Sequence, residues 1–174
     1  MNTFNSTHAS PEHIGKIRLE HGFSQMKPGR STDQNSSNVL HCGRRSIRNC
    51  VRAELRHMTK GGSIVNAASV FAQYGAPNHV PYNASKAAVV QITRTAAKEN
   101  QQIRVNAVAP GSVNTAMARS ERSDPEEIAK AYAHTAQKRR GEPEEVAAVI
   151  ALLISDEASF VIGAVMNVDG GWVC

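Results

Sequence analysis

Three side chains in this sequence have the types and spacing of an acid/base site: Ser69, Tyr82 and Lys86. Ser69 is followed by twelve residues and then by Tyr-x-x-x-Lys in the run PYNASKAAV. Tyr82 and Lys86 stand four apart at the start of an apolar, Ala-rich stretch that reads as a helix. Residues at that spacing share a helix face, one turn from each other. An ammonium beside a phenol favours the phenolate, because an opposite charge stabilises the ionised form. A phenol lowered from its usual value of about 10 becomes a usable acid/base at neutral pH. Ser69 closes the apolar run SIVNAAS, which reads as a buried strand ending in a loop, where its hydroxyl can reach the same reacting oxygen.

The elements that must hold these groups follow from the hydrophobic pattern. CVRAELRHM (50–58) carries Val51, Leu55 and Met58 at helical spacing and reads as the end of a helix, broken by Gly61-Gly62. SIVNAA (63–68) is continuously apolar, as strands of buried parallel sheets are. Pro81 starts the next helix, with Ala87, Ala88, Val89, Ile92 and Ala96 forming an apolar face through about Lys98. IRVNAVA (103–109) is the next strand, closed by Pro110-Gly111. Asp124-Pro125-Glu126-Glu127 combines an N-cap, a first-turn Pro and acids at the positive end of the dipole, and opens a helix to about Gln137. Glu142-Pro143-Glu144-Glu145 opens another through Ile154, and AVMNV (164–168) is a last short strand. Strands alternating with helices predict parallel α/β packing.

The order strand, Ser69, loop, Tyr82-x-x-x-Lys86, helix is followed by IRVNAVAPGSVNT, GEPEEVAAVIALLISDEAS and GAVMNVDGG. From about Asn49 to Cys174 this succession resembles the short-chain dehydrogenase/reductase family. The resemblance implies a partial Rossmann-like, doubly wound parallel sheet and hydride transfer between NAD or NADP and a carbonyl or alcohol carbon. It assigns Tyr82 the proton on the substrate oxygen and Ser69 the orientation of that oxygen. Lys86 lowers the Tyr82 pKa and holds the nicotinamide ribose. Pro110, Gly111, Val113 and Thr115 match the segment that lines the nicotinamide, with Thr115 and the Val113 backbone near its carboxamide. The resemblance also implies a homo- or hetero-oligomer with family members, through the helices at about 50–59 and 82–98.

The first 48 residues depart from that pattern. The family begins with a strand, a Gly-rich turn and a helix whose N-terminus holds the cofactor diphosphate. Here Gly15, Gly22, Gly29 and Gly43 follow no strand-like run, and the Asn of the family's proton relay is expected near position 42, which is Cys42. Residues 1–48 hold 12 apolar residues of 48, against 59 of 126 in residues 49–174. Their charge is 7 Lys/Arg minus 3 Asp/Glu, or +4, so they carry nearly all of the formal +5. So polar a segment cannot bury enough apolar surface to offset its ordering entropy. The division expected is therefore a polar, basic, poorly ordered segment at 1–48 and the C-terminal part of an oxidoreductase domain at 49–174. A truncated enzyme fits this reading. The alternative is a non-catalytic remnant that associates with a full-length relative through its helices. Without the Gly-rich turn, dinucleotide affinity is expected to be weak.

Other features define what the chain is not. Its basic residues form no dense run and its N-terminal aromatics are only Phe4 and Phe23, which argues against nucleic acid as a partner. The longest apolar run, Val146 to Ile154, is far short of the ~20 residues of a membrane span, and residues at the N-terminus show no apolar h-region of a secretory signal. Cys42, Cys50 and Cys174 lack metal or redox spacing, as do His57, His79 and His134, so no metal site is expected and the cytoplasm is the default compartment. Asn66 and Asn106 read as satisfying buried backbone groups, Asp169 as serving the V-D-G-G turn, and Arg139-Arg140 as a solvated loop.

Overall fold

The computed structural model describes residues 34–121 and 124–174. Most of the segment expected to be poorly ordered, residues 1–33, lies outside the described residues. Helix α1 spans Gln34–His57, so it reaches back well before the expected boundary at Asn49. Ile47 and Val51, four apart, are both buried and lie on the stripe that Leu55 and Met58 continue. Averaging composition over 48 residues hid the fact that Ile47 belongs to this stripe.

Strand β1 (Ser63–Ala67) and strand β2 (Arg104–Pro110) pair in parallel, with Ser63 opposite Arg104 and Ala67 opposite Val108. Strand β3 (Val165–Val168) pairs in parallel with the other edge of β2, giving the order β1-β2-β3. Alternate residues supply two cores, as the two-residue period of a strand requires. Ile64, Val105 and Ala107 face helices α1 and α2 (Val80–Glu99), where Val89, Val90, Ala96 and Ala97 meet them. Val65 and Val108 face the other way, against Ile150 and Leu153 of α5 (Pro143–Ile154). Helices on both faces of a parallel sheet make the doubly wound α/β arrangement that the sequence predicts.

Buried polar groups tie these layers together. Asn66 Nδ2 donates to Thr93 Oγ1 at 2.9 Å, and that hydroxyl donates to the Val89 carbonyl at 2.8 Å, fixing β1 to α2. Asn66 thus serves a side chain rather than the expected backbone group. Asn106 does what was expected: its Nδ2 donates to the Val161 carbonyl and its Oδ1 accepts from the Ala164 amide. Arg104 reaches over the end of α5 and donates to the carbonyls of Leu153, Ile154 and Ser155 at 2.8, 3.1 and 3.0 Å. Those are the carbonyls that a helix C-terminus leaves without partners.

Between β2 and α5 the structure differs from the sequence reading. A short helix, α3 (Ala116–Glu121), precedes the expected one, and α4 (Pro125–Ala131) ends well short of the Gln137 to which that helix was expected to run. Asp124 caps α4 through the Glu126 amide, as predicted, but the Tyr132 amide closes the helix onto the Ile128 and Lys130 carbonyls. The chain then returns to β2: Gly141 bridges to Val113, and its amide donates to the Ser112 carbonyl at 2.9 Å.

Candidate active site

Ser69 leaves β1 at its carboxyl end in extended conformation and opens a 3₁₀ turn, Val70–Ala72, by accepting the Phe71 amide at 3.2 Å. The fold therefore fixes its hydroxyl at the mouth of the sheet. Tyr82 and Lys86 stand in the first two turns of α2, which has Pro81 as its second residue and whose buried side packs on β1 and β2. The structure brings all three together. Ser69 hydrogen-bonds the Tyr82 phenol. The Lys86 Nζ donates to the Ala67 carbonyl at 3.0 Å and lies 5.8 Å from the centroid of the Tyr82 ring.

The phenol does not sit below its ordinary value, as the spacing alone suggests. Burial is the largest influence and pushes Tyr82 above 10, while the Ser69 hydrogen bond pulls the other way. Taking a phenolate out of water costs more than that bond returns. Tyr82 is therefore held as a neutral proton donor with Ser69 at its oxygen.

The turn that follows β2 has a precise backbone reason to contain Gly111. Its amide donates to the Val168 carbonyl at 3.0 Å, and Asp169 crosses directly over its Cα. Asp169 in turn accepts the amides of Gly171 and Val173 at 3.0 Å, so the V-D-G-G turn is held by its own carboxylate, as expected. Val113 pairs with Gly141. Thr115 accepts the Ala118 amide at 3.3 Å on an exposed surface, where it caps α3. Pro110, Gly111, Val113 and Thr115 thus lie along one turn at the carboxyl end of β2, next to the carboxyl end of β1 that carries Ser69.

Several neighbours of Tyr82 escape sequence reasoning. The Phe71 ring stands edge-on to Tyr82 at 6.0 Å and to Trp172 at 6.0 Å. Trp172 continues to Tyr132 at 5.7 Å and to His134 at 4.5 Å. The signals in the sequence were an aromatic two residues after Ser69 and the only tryptophan of the chain. Arg139 is exposed, as a solvated loop implies, and forms a two-point pair with Glu145 at 2.8 Å. That guanidinium and the Glu142 amide hold the Glu145 carboxyl at about 2. Arg140 does not follow the same expectation: it is 8% exposed and lies over the Tyr132 ring.

A family model described as enoyl-(acyl carrier protein) reductase matches residues 16–173. The chain belongs to the short-chain dehydrogenase/reductase family. The match begins well before Asn49, where the sequence motifs start. Among curated members of the family, the chain is 42% identical over 139 residues to the 3-oxoacyl-(acyl-carrier-protein) reductase of Thermotoga maritima, covering 78% of this chain and 56% of that one. Among solved structures it resembles a short-chain dehydrogenase/reductase of the glucose/ribitol dehydrogenase type from Brucella melitensis, with a TM-score of 0.77 and 31% identity. That likeness covers 86% of this chain and 62% of the other. A 4-hydroxyisoleucine dehydrogenase mutant complexed with NADH and succinate is similar at a TM-score of 0.71 and 28% identity, over 82% and 60% of the two chains. The chain spans about half the length of the curated relatives it matches. This short-chain dehydrogenase/reductase therefore has the Rossmann-like sheet expected of its C-terminal half. None of its described helices is long and apolar enough to cross a membrane.

Proposed function

We propose that this chain acts as an NAD- or NADP-dependent oxidoreductase, moving a hydride between the nicotinamide and a carbonyl or alcohol carbon of a small molecule. The observation that carries the reading is the hydrogen bond between Ser69 and Tyr82, with Lys86 one helical turn on. Tyr82 donates its proton to the oxygen of a carbonyl being reduced, or accepts one from an alcohol being oxidised. Ser69 holds that oxygen and keeps the phenol oriented. Lys86 supplies the positive charge that favours the phenolate at the moment of transfer and a donor for the nicotinamide ribose.

The residues at the strand ends fit a nicotinamide. A hydroxyl, a phenol and an ammonium meet at the carboxyl ends of parallel strands, where dinucleotide crevices lie. When bound, the cofactor supplies or takes the hydride. Pro110, Gly111, Val113 and Thr115 would line the nicotinamide, with Thr115 and the Val113 backbone as the groups that would meet its carboxamide. The NADH held by the similar 4-hydroxyisoleucine dehydrogenase supports this cofactor class. Cytoplasmic residence and assembly as a homo- or hetero-oligomer with family members, by way of α1 and α2, complete the proposal.

The test is dinucleotide-dependent reduction of a panel of small ketones, with NADH and NADPH in separate arms, by this protein and its Tyr82→Phe variant. Activity that survives Tyr82→Phe unchanged overturns the assignment. A second reading, a non-catalytic partner of a full-length relative, is favoured by one observation. Among the described residues no glycine-rich turn opens a helix toward a diphosphate. Co-purification with such a relative, without turnover under the same assay, supports that second reading.

A further inference from the structure

Among the described residues, Arg140 is a largely buried cation with no carboxylate partner. Only 8% of it is exposed. Its guanidinium carbon lies 6.0 Å from the Tyr132 ring centroid, and its Nε donates to the Tyr132 hydroxyl at 3.5 Å. A guanidinium has five N–H donors, and the other four meet no acceptor among the described residues. Buried charges ordinarily have partners, because desolvation is otherwise uncompensated. The acids of the flanking segments are engaged elsewhere. Glu145 pairs with Arg139, Glu142 accepts from Asn114 at 3.2 and 3.3 Å, and Asp169 accepts two backbone amides.

One donor on the same ring is buried without a partner among the described residues. The Trp172 indole meets Tyr132 at 5.7 Å, and its Nε1 is buried with no hydrogen-bond partner. Buried tryptophan N–H groups usually have one. The Tyr132 hydroxyl itself shares a hydrogen bond with Ser112 at 2.7 Å, which anchors the cluster to the turn after β2. From Tyr132 the rings run through Trp172 and Phe71 to Tyr82.

We infer that Arg140, with Tyr132 and the Trp172 Nε1–H, is a recognition site for the carboxylate of a small organic acid whose apolar body lies along Phe71 and Trp172 toward Tyr82. The planar fork of a guanidinium matches a carboxylate at two points. Aromatic edges carry the positive side of the ring quadrupole and tolerate an acid beside them. The assignment of the distal end to Tyr82 rests on the function proposed above; the anion site itself does not.

Direct binding separates the two. In the full chain, the single indole N–H resonance of Trp172 is followed by NMR during titration with benzoate. Benzamide serves as the neutral isostere and inorganic phosphate as the non-planar anion. A saturable shift with benzoate, and none with the other two, is expected. Arg140→Gln is expected to weaken benzoate by about tenfold or more, since a charge-assisted pair is lost. Arg140→Lys, which keeps the charge and volume but not the fork, should fall between. Should Arg140→Gln fail to fold, the Lys variant and the benzamide arm still decide the matter. Equal shifts with benzamide, a preference for phosphate, or full affinity in both Arg140 variants would overturn the site. Benzoate binding together with unchanged turnover of Tyr82→Phe would instead leave the site intact and remove the catalytic reading.

Discussion

Gly111 and Asp169 touch through their backbones: a Cβ added to Gly111 would lie 2.9 Å from the Asp169 Cα and 3.0 Å from its Cβ. This contact joins the end of β2 to the turn after β3, and so sets where the expected nicotinamide turn stands. Asp169 cannot retreat without releasing the amides of Gly171 and Val173. Gly111→Ala is therefore expected to destabilise the fold by about 1–3 kcal/mol, the usual cost of overpacking. Gly75→Ala, whose Cβ would meet nothing within 4 Å, is the control. Equal denaturant midpoints for the two variants would refute the contact.

Arg104 closes the C-terminus of α5 from the first residue of β2. Burial lowers its pKa somewhat, yet the guanidinium stays charged at any ordinary pH. A cation at a helix C-terminus, with three carbonyl contacts, is worth about 1–2 kcal/mol. Arg104→Met keeps the aliphatic length and loses the contacts, so unfolding by urea should shift by that amount. A change within about 0.5 kcal/mol would assign the α5 end to Ser63, which donates to the same Leu153 carbonyl at 2.9 Å.

Much of this fold was legible because the sheet is buried on both faces. SIVNA and RVNAVAP are apolar almost without interruption, and that pattern leaves few alternatives to a parallel strand. The closeness of Ser69, Tyr82 and Lys86 was legible because Tyr82 and Lys86 sit on one helix and Ser69 follows the strand beneath it. What failed depended on burial or on distance along the chain. The direction of the Tyr82 shift is set by desolvation, which spacing does not encode. Arg140 reads as surface because it is charged, and nothing local says that Tyr132 covers it. Phe71 and Trp172 meet only because β3 lies beside β2, which carries the chain's end back to the mouth of β1.

Tyr82 has a testable titration. Burial raises its pKa above 10, so the folded protein keeps this proton where an unfolded tyrosine has begun to lose it. The sign follows: the contribution is complete below about 10 and is lost as pH rises through the folded value. Ultraviolet titration, taken as the difference between the parent and Tyr82→Phe, should show Tyr82 ionising above 10. Ser69→Ala should move that midpoint further up, because it removes the hydrogen bond that pulls it down. A downward move on Ser69→Ala would show that the bond stabilises the neutral phenol instead.

The division of labour among Ser69, Tyr82 and Lys86 can be read from rate and affinity together, in this chain extended N-terminally by the corresponding part of a full-length relative. Tyr82→Phe keeps the ring and its contact with Phe71 and loses only the acid. Carbonyl reduction should fall by about 10²–10⁴-fold, the range of general acid catalysis, with dinucleotide affinity nearly unchanged. Lys86→Ala removes both the charge beside the phenol and the donor assigned to the ribose, so rate and cofactor affinity should fall together. Ser69→Ala should slow turnover and leave dinucleotide binding close to that of the parent, since the proposed role of its hydroxyl is toward the substrate oxygen and Tyr82 rather than the cofactor. A Tyr82→Phe protein that retains more than about a tenth of the parent rate would take the proton transfer away from Tyr82. If Lys86→Ala altered the rate but not the affinity, its role would be confined to the phenol and the Ala67 carbonyl that it reaches in this structure.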